Sequence, residues 1–325
     1  MGSSSITGRL LQYVLVLLVA VTINFLLPRL MPGNPLALIA GADVGLLTPE
    51  QRQEVIERAG LDRPLIVQYA TYIGDLATGD FGYSYRQKRP ITDLIAERLP
   101  WTLLLTGIAL AISAVVGTLL GALSAWRRGR FTDVASLGVM IVLESMPSFW
   151  LGMLLVSIFS VQLGIFPTFG AITPAAGYQG LEAVIDVVRH AILPALTLSI
   201  LSVPGVYLTM RYSMLGVLGE DFIRTARAKG LSERAILLRH VARNALVPVV
   251  TVIALRLGFA FGGTVVVETV FSYPGLGRLI FEAVSGRDYP VMQATFLVFT
   301  IAVLISNLLA DYLYPLLDPR ARAAS

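Results

Sequence analysis

Six long apolar stretches constrain this chain more than any other feature: roughly Leu10 to Leu30, Trp101 to Trp126, Val134 to Leu163, Ile192 to Leu215, Leu246 to Phe271 and Val291 to Leu313. A helix crosses a bilayer with about 20 mainly apolar residues, because the hydrocarbon offers its backbone no outside hydrogen-bond partner. Each stretch meets that length, so the sequence predicts an all-α integral membrane protein with six transmembrane helices. Composition agrees: 55% of the 325 residues are hydrophobic and only 14% are charged, with a mean hydropathy of +0.74, more than a soluble core requires. The first stretch exceeds a signal-peptide core of about 7 to 15 residues and lacks a small-residue cleavage pattern at "LLPRLMPGNP", so it reads as a retained anchor.

The charges then set topology. Arg127, Arg128 and Arg130 follow the second stretch, Arg224 through Arg243 the fourth, and Arg320 and Arg322 the sixth, whereas the opposite connections hold mainly Arg189, Arg278 and Arg287. The positive-inside bias places both termini in the cytoplasm. The net charge of +4 is therefore an imprint of topology and no nucleic-acid footprint. The absence of cysteine excludes disulfides and thiol sites, and His190 and His240 alone make a histidine metal cluster implausible.

Four regions follow. Residues 1–31 hold the first helix, 32–99 an extracytoplasmic loop or cap, 100–316 a five-helix core with a cytoplasmic loop at 216–245, and 317–325 a cytoplasmic tail. In the cap, Thr48 is placed to precede a helix with Pro49 at its first position and Glu50 behind it. In the third stretch, "LESMPSFWLG" puts Pro147 where it removes a backbone donor, predicting a kink or break just after Glu144.

The cytoplasmic loop carries "FIRTARAKGLSERAILLRHVARNALVPVV" at 222–250. Phe222, Ala226 and Lys229 can share one side of a short helix that Gly230 ends, Ser232 can cap the next, and Leu237, Val241, Asn244, Ala245 and Pro248 form a stripe leading into the fifth span. Two short helices at the membrane surface result. From charge alone, the segment could be an interfacial loop touching anionic lipid.

The order of residues adds more. "TARAKGLSERAILLRHVARNALVPVV" resembles the coupling loop of ATP-binding-cassette importer permeases in the dipeptide, oligopeptide and nickel family, with Arg224-Thr225-Ala226 in place of the usual Glu-Ala-Ala, Gly230 in its usual place and Val247-Pro248 for Leu-Pro. "PGNPLALIAG", "GLDRPLIVQYATYIGDLATGDFGYSY", "SMPSFWLG", "ILPALTL", "VVVETVFSYPGLGRLIFEAVSGRDYPVMQ" and "LYPLLDPRARA" are similar, in order, to the matching segments of such permeases. The resemblance implies a type I ABC importer transmembrane fold in a bacterial or archaeal cytoplasmic membrane. It further implies a second homologous permease, two ATP-binding subunits that bind ATP and Mg, and an extracytoplasmic substrate-binding protein. On this reading Asp221, Arg224, Thr225, Ala226, Ala228, Lys229, Gly230, Leu231 and Arg234 contact an ATPase subunit.

The chain has no G-x-x-x-x-G-K-[ST] phosphate loop, so ATP hydrolysis is expected from partner subunits and no cofactor from this chain. Charges inside the bilayer are costly enough to point to function. Glu144, Arg256 and Glu268 are the candidates: Glu144 and Arg256 either pair structurally, with each other or with the partner permease, or line the translocation path, where Arg256 would meet a peptide carboxylate. Gly262 and Gly263, with Gly258, form a small-residue seam that serves either helix packing or a pore wall. "YPGLGRL" fits a turn followed by a short outer helix, with a gate or a binding-protein contact as its use. Peptide import is the reading preferred over an autonomous secondary transporter or channel, and a membrane-embedded enzyme lacks any nucleophile and base constellation.

Overall fold

The computed structural model describes residues 6–30, 48–58 and 62–317, so "PGNPLALIAG" and the tail after Leu317, with Arg320 and Arg322, lie outside the described residues. The described chain is helical apart from one minimal hairpin. In order it forms α1 (Ile6–Leu30), α2 (Pro49–Arg58), α3 (Leu65–Ala77), β1 (Tyr83–Ser84), β2 (Arg89–Pro90), α4 (Ile91–Trp126), α5 (Phe131–Glu144), α6 (Ser148–Leu155) with a π turn at Val156–Gln162, α7 (Leu181–Leu218), α8 (Asp221–Ala228), α9 (Glu233–Ala235) with a π turn at Ile236–Val241, α10 (Ala242–Val270), α11 (Leu276–Gly286) and α12 (Tyr289–Leu317).

Four of the described helices are long and apolar enough to cross a membrane, or five if the bent pair α5 and α6 is one span. That pair is bent by 100°. The break falls where Pro147 requires it, with Glu144 the last residue of α5 and Ser148 the first of α6. In α1 the described apolar run is the shorter Leu11–Leu27, inside a helix of 25 residues.

The contacts divide the chain into two compact units, Met1–Leu103 with Ser272–Leu304, and Leu104–Phe271 with Ile305–Ser325. In the first, α2 starts at Pro49 directly after Thr48, as its sequence predicts. The β1–β2 hairpin pairs Tyr83 with Pro90 and Ser84 with Arg89 and leads into α4. Its core joins Ile91, Leu94 and Ile95 to Leu276, Leu279, Ala283, Val291 and Ala294. "YPGLGRL" is indeed a turn and a short helix, α11, whose Leu276 amide donates to Thr102 Oγ1 at 2.8 Å.

In the second unit, α4 and α7 approach closely at Gly117 and Gly121. A methyl group added at Gly121 would lie 2.5 Å from the Tyr207 carbonyl oxygen, and one at Gly117 2.7 Å from Val206 Cβ. This is small-residue helix packing as membranes favour it. A core of Ala125, Val206, Met210, Met214, Ile223, Ala226, Ile236, Val241, Ala245 and Val249 draws α4, α7, α8 and α10 together.

Candidate functional site

The loop at 216–245 forms a compact turn between two short helices. After α7 ends, Glu220 in extended conformation opens α8. At the other end Gly230 has φ +77°, its amide donates to the Arg227 carbonyl at 2.9 Å, and the Leu231 amide reaches back to the Ala226 carbonyl at 3.3 Å. That double bond pattern is a Schellman stop, which needs a left-handed residue where Gly230 stands. Ser232 then caps α9, its side chain accepting from the Ala235 amide at 3.4 Å. Arg227 bridges the turn to Glu233, Nε to Oε1 at 2.9 Å, with both side chains about half exposed.

Two packing faces differ from the spacing read in the sequence. The inward side of α8 is Ile223 and Ala226, while Phe222 and Lys229 are exposed. Asn244 and Pro248 are likewise exposed, and the buried stripe is Ile236, Val241, Ala245 and Val249. The π turn at Ile236–Val241 accounts for Ile236 standing in place of Leu237, since its wider period sets Val241 five residues after Ile236 on the same side. From Val241 the spacing of four continues through Ala245 to Val249, and Asn244 and Pro248 fall beside that line.

Of the predicted coupling residues, Ala226 faces the core. Asp221, Arg224, Thr225, Ala228, Lys229, Gly230, Leu231 and Arg234 are all exposed, and Arg224 lies 3.4 Å from Asp221 on the outer face of α8. The loop thus presents a basic, solvent-facing edge on a base that packs against three long helices.

The path candidates lie on α5 and α10. Glu144 is exposed at the end of α5, and among the described residues no ion pair joins it to Arg256. Arg256 instead turns to α7, donating from Nη1 to the Ser202 carbonyl at 3.4 Å. Its guanidinium lies against Gly205, where a methyl group would sit 1.7 Å from Nη2. Glu268 is fully buried near the end of α10. Gly262 and Gly263 lie within that same helix.

The sequence reading missed a buried polar centre in the second unit. Arg211 of α7 grips Asp133 of α5 with two bonds, Nε to Oδ1 at 2.8 Å and Nη2 to Oδ2 at 3.1 Å. Ser124 donates to the same carboxylate, the Gly129 amide reaches Oδ2 at 3.0 Å, and the Tyr207 hydroxyl bonds to Ser124 at 2.7 Å and Ser136 at 2.9 Å. One signal could have found it. Arg211 is the sole charge in the stretch Ile192 to Leu215, and an intramembrane charge asks for a partner.

Comparison with known proteins completes the description. Residues 117–323 match the family described as binding-protein-dependent transport system inner membrane component, and residues 4–106 match its N-terminal companion. The chain is 41% identical over 318 residues to the glutathione transport system permease protein GsiC of Escherichia coli strain K12, covering 97% of each chain. GsiC of Shigella flexneri serotype 5b matches with the same identity and coverage. Among solved structures, a chain of the MetNI methionine ABC transporter superposes with TM-score 0.56 at 18% identity, covering 69% of this chain and 96% of that one. A chain of an amino acid ABC transporter gives 0.51 at 16% identity, with 70% and 94% covered. At these identities the structures speak for the fold alone.

Proposed function

Because the chain belongs to the binding-protein-dependent transport system inner membrane component family, and so is the permease component of an ABC importer, we propose that it forms half of a pore for peptide-like solutes and takes its drive from the exposed edge of α8 and α9. The solute class rests on likeness to a glutathione transport permease. Glutathione is a small peptide with two carboxylates, and related dipeptides or oligopeptides share that chemistry. A second homologous permease completes the path, two ATP-binding subunits carry ATP and Mg, and an extracytoplasmic binding protein delivers the solute to the 32–99 side. Six spans with both termini in the cytoplasm are part of this reading, supported by the apolar stretches and the placement of the basic residues in the sequence.

The observation that carries the coupling role is the construction of the loop. Ile223 and Ala226 fasten α8 to the core shared by α4, α7 and α10, so a push on its exposed edge moves helices rather than a slack connection. ATP-driven closure of the partner subunits would then travel as a rigid-body motion into the spans. Arg256 and Glu268, with Gly262 and Gly263, remain the residues assigned to the path, and Glu144 to its edge at the α5–α6 bend.

The test is reconstitution. Reconstituted with a partner permease, ATP-binding subunits and a binding protein, the chain should support ATP-dependent uptake of labelled glutathione or a dipeptide into proteoliposomes. Uptake by this chain alone, without ATP, would overturn the reading in favour of an autonomous transporter.

A further inference from the structure

α3 carries an apolar face that no part of the described chain covers. Successive residues of a helix turn by about 100°, so Ile66, Ala70, Ile73 and Ala77 fall in one stripe and Asp75 on the opposite side. All four are exposed, Ile66 at 73%. A different side of α3 holds it in place. The Tyr69 hydroxyl meets Thr22 Oγ1 at 2.5 Å, Tyr72 accepts from Asn24 at 3.2 Å, and Gln68 accepts from Arg29 at 3.0 Å. The rings of Tyr69 and Tyr72 close on Phe25, at 5.1 and 5.6 Å between centroids.

Those partners fix the height of α3. Thr22 lies five residues inside Leu27, the end of the apolar run of α1, which is about 7.5 Å at the helical rise of 1.5 Å per residue. At that same height α1 itself exposes Ile23, Leu26 and Leu27, so the apolar stripe of α3 continues a surface already made for hydrocarbon. Interfacial helices sink about 5–10 Å into the boundary between headgroups and acyl chains, with an apolar stripe below and polar residues above. Tyrosines are favoured at that level because their rings are apolar and their hydroxyls polar.

We infer that α3 is an interfacial helix embedded in the extracytoplasmic leaflet of the bilayer, with Ile66, Ala70, Ile73 and Ala77 against acyl chains and Asp75 toward water. It is a lateral foot beside the first span, and its contact is with lipid rather than with a protein partner. The inference depends on the chain spanning a membrane and not on which solute is carried.

The absence of native cysteine allows single labelling. Ile66→Cys, Ile73→Cys and Asp75→Cys, each spin-labelled in the full chain with its co-purifying subunits in nanodiscs, are read by electron paramagnetic resonance for collision with oxygen and with a water-soluble nickel chelate. Oxygen should dominate at 66 and 73 and the chelate at 75. Chelate-dominated collision at 66 and 73 would put the stripe in water. Low collision with both reagents would put it under a protein partner. Either result overturns the assignment, while uptake measured on the same variants reports separately on the transport function.

Discussion

Asp133 and Arg211 occupy positions where a lone charge is costly, their side chains only 4% and 11% exposed. The pair persists because two hydrogen bonds join them and Ser124 and the Gly129 amide fill further acceptor positions of the carboxylate. Removing one member orphans the other, so Asp133→Asn or Arg211→Gln should each cost about 3–5 kcal/mol of stability. Combining the two should cost clearly less than the sum of the singles, because no uncompensated charge is left. Unfolding midpoints in detergent for the four proteins give the cycle, and additive losses would show the pair to be uncoupled. A second buried carboxylate behaves differently. Asp288 is 3% exposed, stands just before α12, and receives the Ser84 hydroxyl at 2.5 Å and the Val291 amide at 3.5 Å. Burial pushes its carboxyl above the usual aspartate range, with Ser84, Val291 and the charge of Arg86 opposing. The folded state thus holds this proton more tightly than the unfolded chain, so its contribution to stability declines as pH rises from the ordinary aspartate value to the raised one, then stays level. Asp288→Asn keeps an acceptor for the helix start and cannot ionise. It should raise the apparent unfolding temperature more at pH 7 than at pH 4, and an equal change at both would remove burial of the charge as the cause.

At the scale of elements, local chemistry was legible wherever one residue dictates a backbone state. Pro147 announced the break in the third span, Gly230 and Ser232 announced the turn between α8 and α9, and both stand where they were read. Phase along a helix was less legible, because it depends on the whole ladder of hydrogen bonds. Nothing in "ILLRHV" marks a π turn, yet that turn buries Ile236 where the α-helical spacing pointed to Leu237; Val241 and Ala245 are buried as read, and Asn244 and Pro248 are exposed. Charge pairing between distant segments was legible least: Asp133 and Arg211 are 78 positions apart. The close approach of α4 to α7 was written as "GTLLG" at 117–121, but composition alone did not tell that seam from the glycines of the fifth span. Two substitutions separate space from conformation. At Gly121 the neighbouring carbonyl leaves no room, so Gly121→Val should destabilise by about 3 kcal/mol, the upper part of the range for an overpacked interior. At Gly230 no atom lies within 4 Å of an added methyl group, and only the positive φ resists. Gly230→Val should cost about 1–3 kcal/mol locally and uncouple ATPase activity from transport while insertion continues. Gly230→Asn, which tolerates left-handed geometry, should retain most coupling. Equal loss in both variants would mean that the turn geometry is not what the ATPase reads.

For the whole molecule, selectivity depends on whether the Arg256 guanidinium acts on the solute or only on its own fold. It is half-buried, with a long bond to the Ser202 carbonyl at 3.4 Å, in the part of α7 where Pro204 denies that helix a donor. Gly205 supplies the space it rests in. A guanidinium has five donors, and on the reading that Arg256 faces the path, those beyond the one directed at Ser202 would be the ones to meet a carboxylate. An arginine here pays about 2.5–3.5 kcal/mol on insertion scales, which makes a purely incidental charge hard to explain. Two substitutions divide the roles. Arg256→Gln removes the charge. Gly205→Ala keeps the charge but forces the guanidinium out of its seat, a movement open to a flexible side chain. If Arg256 attracts anionic solute by its charge, Arg256→Gln should shift uptake toward neutral dipeptides over glutathione, at unchanged assembly with the partner subunits. Gly205→Ala should then preserve the preference for the anion. If Arg256 serves only to brace α7, both variants should lower uptake of the two solutes in proportion and leave their ratio as in the wild type.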